Sequence, residues 1–173
     1  MKPVALLALT LFAFAAVADE GGRGIHVDLE KVVAAGKVNP VDGITSAGQP
    51  DKRALEVFAN SGYAVVIDMR GADEDRGVDD FEGAVEATGM KYVPFPIVTE
   101  ESISFETAQK LDALLQSTEG PVLIHCASGN RVGALLALRH SLSGADDEAT
   151  IAFGRQAGMT RLEPRVREVL HAD

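Results

Sequence analysis

The sequence predicts an α/β fold of three layers, with a mainly parallel central sheet and helices on both faces. Three observations carry this. Short β-rich runs alternate with stretches of helical spacing from Ile44 onward, the order that crossover-connected parallel strands produce. Val122 to Ile124 is an unbroken apolar run behind Pro121, as in a strand covered on both faces. The 173 residues, 46% hydrophobic and 24% charged, suit one domain with a substantial core.

Residues 1–18 read as an export signal. Lys2 gives a positive start, Val4 to Val17 is apolar but short for a bilayer span, and Ala16-Val-Ala18 is a small-x-small cleavage site before Asp19. The alternative is an uncleaved amino-terminal anchor. Cleavage after Ala18 leaves a periplasmic or secreted chain with no stable membrane span. Residues 19–38 read as a flexible glycine-rich lead-in and a short helix over Val27–Ala35, and residues 39–173 as the domain itself.

A short strand is expected around Ile44 and Thr45. Pro50 suits the first turn of a helix carrying Ala54, Leu55, Val57 and Phe58, closed by Gly62. Tyr63 to Met69 is β-rich and reads as a strand. An acidic loop with Arg76 leads to a helix over Phe81–Thr88. Lys91 to Pro96 reads as a strand that its prolines restrict to an edge or an end. After the polar loop Thr99–Ser104, Ser104 caps a helix whose apolar positions are Phe105, Ala108, Leu111, Leu114 and Leu115. The central strand follows Pro121, then a loop over Cys126–Arg131, then a buried helix over Val132–Leu142. Asp146 to Ala157 and the segment opened by Pro164 complete the helices.

A net charge of −10 argues against a general nucleic-acid or anionic-membrane surface. With no tryptophan and 5% aromatics, base-stacking platforms are not expected either. Any anion site must therefore be a local basic pocket.

The loop after the central strand has that character. A helix N-terminus carries unpaired N–H groups and partial positive charge. Gly129 lets the loop turn, and Arg131 adds a planar fork of donors suited to a tetrahedral oxyanion. The same field suits a thiolate nucleophile at Cys126, the single cysteine of the chain. His125 is placed to fix the loop through its ring nitrogens. The plainer reading of Cys126 is a small buried core residue; its setting between His125 and a Gly-Asn-Arg loop favours function.

Four blocks extend this. Thr45-Ser-Ala-Gly-Gln-Pro50, Val65-Val-Ile-Asp-Met-Arg70, Tyr92-Val-Pro-Phe-Pro96 and His125-Cys-Ala-Ser-Gly-Asn-Arg131 occur in this order. Together they resemble the phosphatase-like domain of bacterial beta-lactamase hydrolase-like proteins, a relative of the cysteine-based protein tyrosine and dual-specificity phosphatases. The resemblance runs from about Asn39 to Leu142. It implies a tyrosine-phosphatase-like fold and hydrolysis of a phosphomonoester, with Cys126 taking the phosphoryl group as a thiophosphate. It also implies that the N–H groups of Ala127, Ser128, Gly129, Asn130 and Arg131, with the Arg131 guanidinium, hold the phosphate oxygens. No metal or other cofactor is expected, and the sequence offers no metal-ligand cluster.

The chain departs from the tyrosine-phosphatase pattern in three ways. Its Cys-to-Arg spacer, Ala127 to Asn130, is one residue short. Val132 follows the arginine where a hydroxyl is common, with Ser128 as a substitute. The usual acid aspartate is replaced around Thr99 by Glu100 and Glu101, which are the candidate general acids, with Asp73–Asp75 as second choice. Asp68 and Arg70 are expected to form a structural ion pair supporting the loop. The short spacer and Asp68-Met-Arg70 also resemble single-domain rhodanese sulfurtransferases, which would use a Cys126 persulfide, but the Gly-His-Ile-x-Gly-Ala segment of that family is missing. A non-catalytic oxyanion-binding domain is the third reading.

Overall fold

The computed structural model describes residues 25–172; the expected export signal and most of the glycine-rich lead-in lie outside the described residues. Four strands, β1 (Ile44–Ala47), β2 (Val65–Asp68), β3 (Lys91–Pro94) and β4 (Val122–His125), form one sheet in the order β1-β4-β2-β3. Every pairing is parallel. The proline-containing β3 is an edge strand, as its missing donors require.

Side chains alternate across each strand, so the sheet feeds two cores. Val65, Ile67, Val122 and Ile124 pack on one face with α4 (Phe105–Gln116), α5 (Asn130–Leu142), α6 (Asp147–Gln156) and α7 (Glu163–Leu170). Val66 and Leu123 face the other way, onto α1 (Leu29–Ala35), α2 (Lys52–Asn60) and α3 (Phe81–Glu86). Helix α5 is apolar all round from Val132 to Leu138 and wholly buried there, as a helix without a polar face must be. It lies against both α4 and α6. Gly133 permits the closeness: a Cβ there would fall 2.2 Å from the main-chain nitrogen of Met159, in the α6–α7 loop.

Several boundaries differ from the sequence reading for local reasons. Pro50 stands before helix α2, because Asp51 is the N-cap and its carboxylate accepts the Ala54 N–H at 2.7 Å. The Cys126 loop is shorter than expected, since α5 begins at Asn130 with Gly129 as its N-cap. The described part of the lead-in belongs to the domain. Val27 donates to the Ser46 carbonyl beside β1, and Val32 and Val38 are buried in the α1–α3 core.

Candidate functional site

The strands end together at the carboxyl edge of the sheet, where open α/β sheets bind ligands. Register sets His125 between Ala47 and Asp68, and Cys126 is the next residue beyond that edge. The residue is 1% exposed, which slows random oxidation of a lone thiol. Turning back over it, the loop brings the Gly129 N–H to 3.1 Å from Sγ. Gly129 can do this because its φ is +83°, and a Cβ there would also strike the His26 ring at 2.2 Å. Ser128, the expected stand-in hydroxyl, is exposed and bridges to Gly48; it is the Gly129 amide that meets the sulfur.

The first block explains itself at this point. Cys126 N–H donates to the Ala47 carbonyl at 3.4 Å, and Gln49 N–H to the Ala127 carbonyl at 3.2 Å. The end of β1 and the residues after it thus splint the loop through its main chain.

Arg131 occupies the first turn of α5, with its head turned across the loop. Nη1 and Nη2 meet Glu74 Oε1 and Oε2 at 2.6 and 2.7 Å, a bidentate pair, and Nη1 also donates to the Ile97 carbonyl at 2.9 Å. Nε takes no part in the Glu74 pair, and the guanidinium also lies close to the Cys126 sulfur. The hydrogen bonds of Glu74, and then the nearby Cys126 sulfur, strengthen the charged form of Arg131. Reciprocally, Arg131 holds the Glu74 carboxyl down to about 2. Glu74 falls within the second-choice acid group, and a carboxyl that acidic is a poor proton donor. Its position is that of an arginine clamp, a role the acidic loop alone did not disclose.

The expected Asp68–Arg70 ion pair is exchanged for two others. Asp68, fully buried, takes Arg76 Nε at 2.6 Å and the Tyr92 hydroxyl at 2.9 Å. Arg70 gives Asp68 only its main-chain N–H, at 2.8 Å; its guanidinium goes to Glu74 at 3.2 Å and to Gln49 at 2.9 Å. The cause is the turn at the end of β2. Arg76 folds back under it, donating also to the carbonyls of Arg70, Gly71 and Glu74. That brace aims Glu74 at Arg131. Burial, then the Asp68 hydrogen bond, pushes the Tyr92 phenol up to about 12, so it remains a donor to Asp68.

His125 does not fix the loop through its ring. Neither ring nitrogen has a hydrogen-bond partner among the described residues, and Nε2 stands 3.5 Å from Asp68 Oδ1. Burial lowers its pKa to about 4, against the opposing pull of Asp68. The ring is therefore neutral at pH 7 and packs on Phe81 at 5.1 Å between centroids. Between about pH 6.5 and 4 the unfolded chain takes a proton that the folded chain refuses. Stability contributed above that window should fall on acidification by ~3 kcal/mol, at 1.36 kcal/mol per pH unit. Urea titrations at pH 7 and pH 4 should show His125→Phe losing less stability than the native chain over this interval. Equal losses would refute the assignment.

Beside Arg131 lies an open cavity of about 430 Å³, bounded by Ile97, Val98, Glu100, Asn130, Arg131 and Arg161 among others. Glu100 lines it, in a 3-10 turn over Glu100–Ser102, whereas Glu101 does not. Hydrogen bonds from its own main chain and from Thr99 lower the Glu101 pKa, the wrong direction for an acid at neutral pH. The structure thus separates two neighbours that the sequence left equivalent. Asn130, expected among the phosphate ligands, turns its side chain the other way. Its Oδ1 accepts from Thr160 N, Thr160 Oγ1 and Leu162 N at 2.8, 3.1 and 3.3 Å. Only its main-chain N–H remains at the helix start.

A covered cysteine under a helix N-terminus, a clamped arginine and a cavity bordered by that arginine thus stand together at the carboxyl edge of the sheet. The family model for the phosphatase-like domain of beta-lactamase hydrolase-like protein matches residues 40–143. The chain belongs to that family. This phosphatase-like domain is 33% identical over 101 residues to the beta-lactamase hydrolase-like protein of Xylella fastidiosa, covering 57% of the chain and 23% of the relative. It therefore spans about a quarter of that relative's length. Solved structures establish the fold. A Neisseria meningitidis protein assigned as a phosphatase superposes with a TM-score of 0.61 at 23% identity, over 72% of this chain and 91% of that one. TpbA of P. aeruginosa, solved with pTyr, gives 0.52 at 19%, over 73% and 77%. The PP-IP phosphatase of S. cerevisiae, solved with citrate, gives 0.54 at 14%, over 74% and 79%. The tyrosine-phosphatase-like architecture expected from the four blocks is thus the observed one.

Proposed function

We propose that this phosphatase-like domain hydrolyses phosphomonoesters through a thiophosphate on Cys126. The observation that carries the reading is the Glu74-clamped Arg131, held in the helix turn that follows the sulfur's loop and opening on the cavity that Glu100 lines. Sγ attacks phosphorus as the ester P–O bond breaks. The leaving oxygen takes a proton from Glu100. Water then attacks phosphorus, breaking the S–P bond and releasing inorganic phosphate and the thiolate. Throughout, the loop N–H groups and the free edge of Arg131 hold the non-bridging oxygens, which is transition-state stabilisation by preorganised donors.

A tyrosine or dual-specificity preference is supported by the pTyr-bound neighbour and by Val98, 68% exposed at the cavity rim, where an aryl ring could rest. The amino-terminal stretch Met1–Ala18 supports action in the periplasm or outside the cell.

The test is hydrolysis of p-nitrophenyl phosphate, inhibited competitively by vanadate. Sulfur transfer from thiosulfate to cyanide, with a persulfide mass shift on Cys126 and no phosphate release, would overturn the proposal in favour of rhodanese chemistry. For the acid, Glu100→Gln should slow alkyl phosphates by roughly 10²–10⁴-fold and p-nitrophenyl phosphate far less, since its leaving group needs no proton. Glu101→Gln should stay near the native rate with both. Identical leaving-group slopes for Glu100→Gln and the native protein would remove Glu100 from the role.

A further inference from the structure

We infer that Arg161 is a specificity-determining residue that receives a second anionic group on the substrate, next to the phosphate held by the Cys126 loop. The inference rests on the functional reading above and extends it to substrate class: phosphoesters whose organic portion carries another phosphate or a carboxylate.

Arg161 and Arg131 line the same cavity. Their situations are opposite. Arg131 is saturated on one edge by Glu74. Arg161 has no ion pair or hydrogen bond among the described residues, while Arg155, Arg165 and Arg167 around it each engage a carboxylate. In a chain of net charge −10, a guanidinium left without a partner beside a cavity is a place for an external anion.

Its position is also built. The two residues flanking it, Thr160 and Leu162, are both bound by the side chain of Asn130, the residue just before Arg131. Gly133 admits the same α6–α7 loop to close range. Loop and second arginine are therefore fastened to one another through a single amide, so the spacing of the two cations is set by the fold rather than by a mobile side chain alone. A long flexible arginine on such a fixed base keeps its reach while its origin is preorganised.

The experiment compares phenyl phosphate, 4-carboxyphenyl phosphate and 1,4-phenylene bisphosphate as substrates. The native protein should favour the two compounds that carry a second anionic group, mainly through KM, and Arg161→Ala should cut that preference about tenfold; Arg161→Lys should restore part of it. A preference for the bisphosphate alone would identify phosphate as the second group, and for both compounds, any second anion. Calorimetry of Cys126→Ser with pyrophosphate and orthophosphate separates this inference from the catalytic one. A pyrophosphate advantage that vanishes in Cys126→Ser/Arg161→Ala supports the second subsite even if no ester is hydrolysed. Selectivity and the pyrophosphate-to-orthophosphate ratio both unchanged by Arg161→Ala would overturn it.

Discussion

Cys126→Ser is expected to remove phosphomonoester turnover while leaving a folded, anion-binding loop. A serine oxygen can accept the Gly129 N–H that now meets Sγ at 3.1 Å, so the loop keeps its closing contact. The nucleophile is lost because a hydroxyl has no neighbouring base: His125 is buried, faces Asp68 and Phe81, and makes no hydrogen bond to the loop. Loss of a nucleophile has cost another enzyme about 10⁶-fold, and at least ~10³-fold is expected here on that precedent. Turnover of p-nitrophenyl phosphate with parallel vanadate titration measures both halves. A serine variant with native turnover would mean that chemistry proceeds elsewhere.

The second large effect is expected at Arg131. Arg131→Ala removes a preorganised donor to the transition state, a change typically worth about 10²–10³ in kcat. It should do further harm, because Glu74, left with only Arg70 and the Gly71 N–H as partners, then turns a carboxylate on the loop where anions must bind. The double variant Arg131→Ala/Glu74→Gln should therefore bind vanadate more tightly than Arg131→Ala alone. The coupling expected for groups in direct contact is about 0.5–3 kcal/mol. Additive losses would show that Glu74 is not the arginine's clamp. The sign with pH is also fixed. Glu74 is held at about 2 in the fold against 4.5 for an ordinary glutamate. The stability it confers is complete above about pH 4.5 and disappears as pH falls towards 2. The pair is thus intact throughout the neutral range.

These two expectations depend on different kinds of information. Cys126, Gly129 and Arg131 lie within six residues of chain, and an apolar strand, a glycine turn and a helix start can be recognised in order. The layered parallel sheet was legible for the same reason: strand and helix periods repeat over neighbouring residues. The edge position of β3 was one of the two placements its prolines allowed, and the sheet order decided it. Glu74 was visible only as one carboxylate in an acidic loop. Nothing local distinguishes it from Asp73 or Asp75, because its partner lies 57 residues away.

By itself, then, the sequence determined the α/β layering, the sheet edge that carries the loop, and the closeness of Cys126 to Arg131, since each is set by neighbours along the chain. Only the tertiary structure decided which carboxylate restrains Arg131, that Asp68 takes Arg76 rather than Arg70, that Glu100 rather than Glu101 borders the cavity, and that Arg161 joins it. The physical reason is that a charged side chain chooses its partner by distance and desolvation after the elements have packed. Those quantities belong to the assembled fold and leave no periodic mark on the chain.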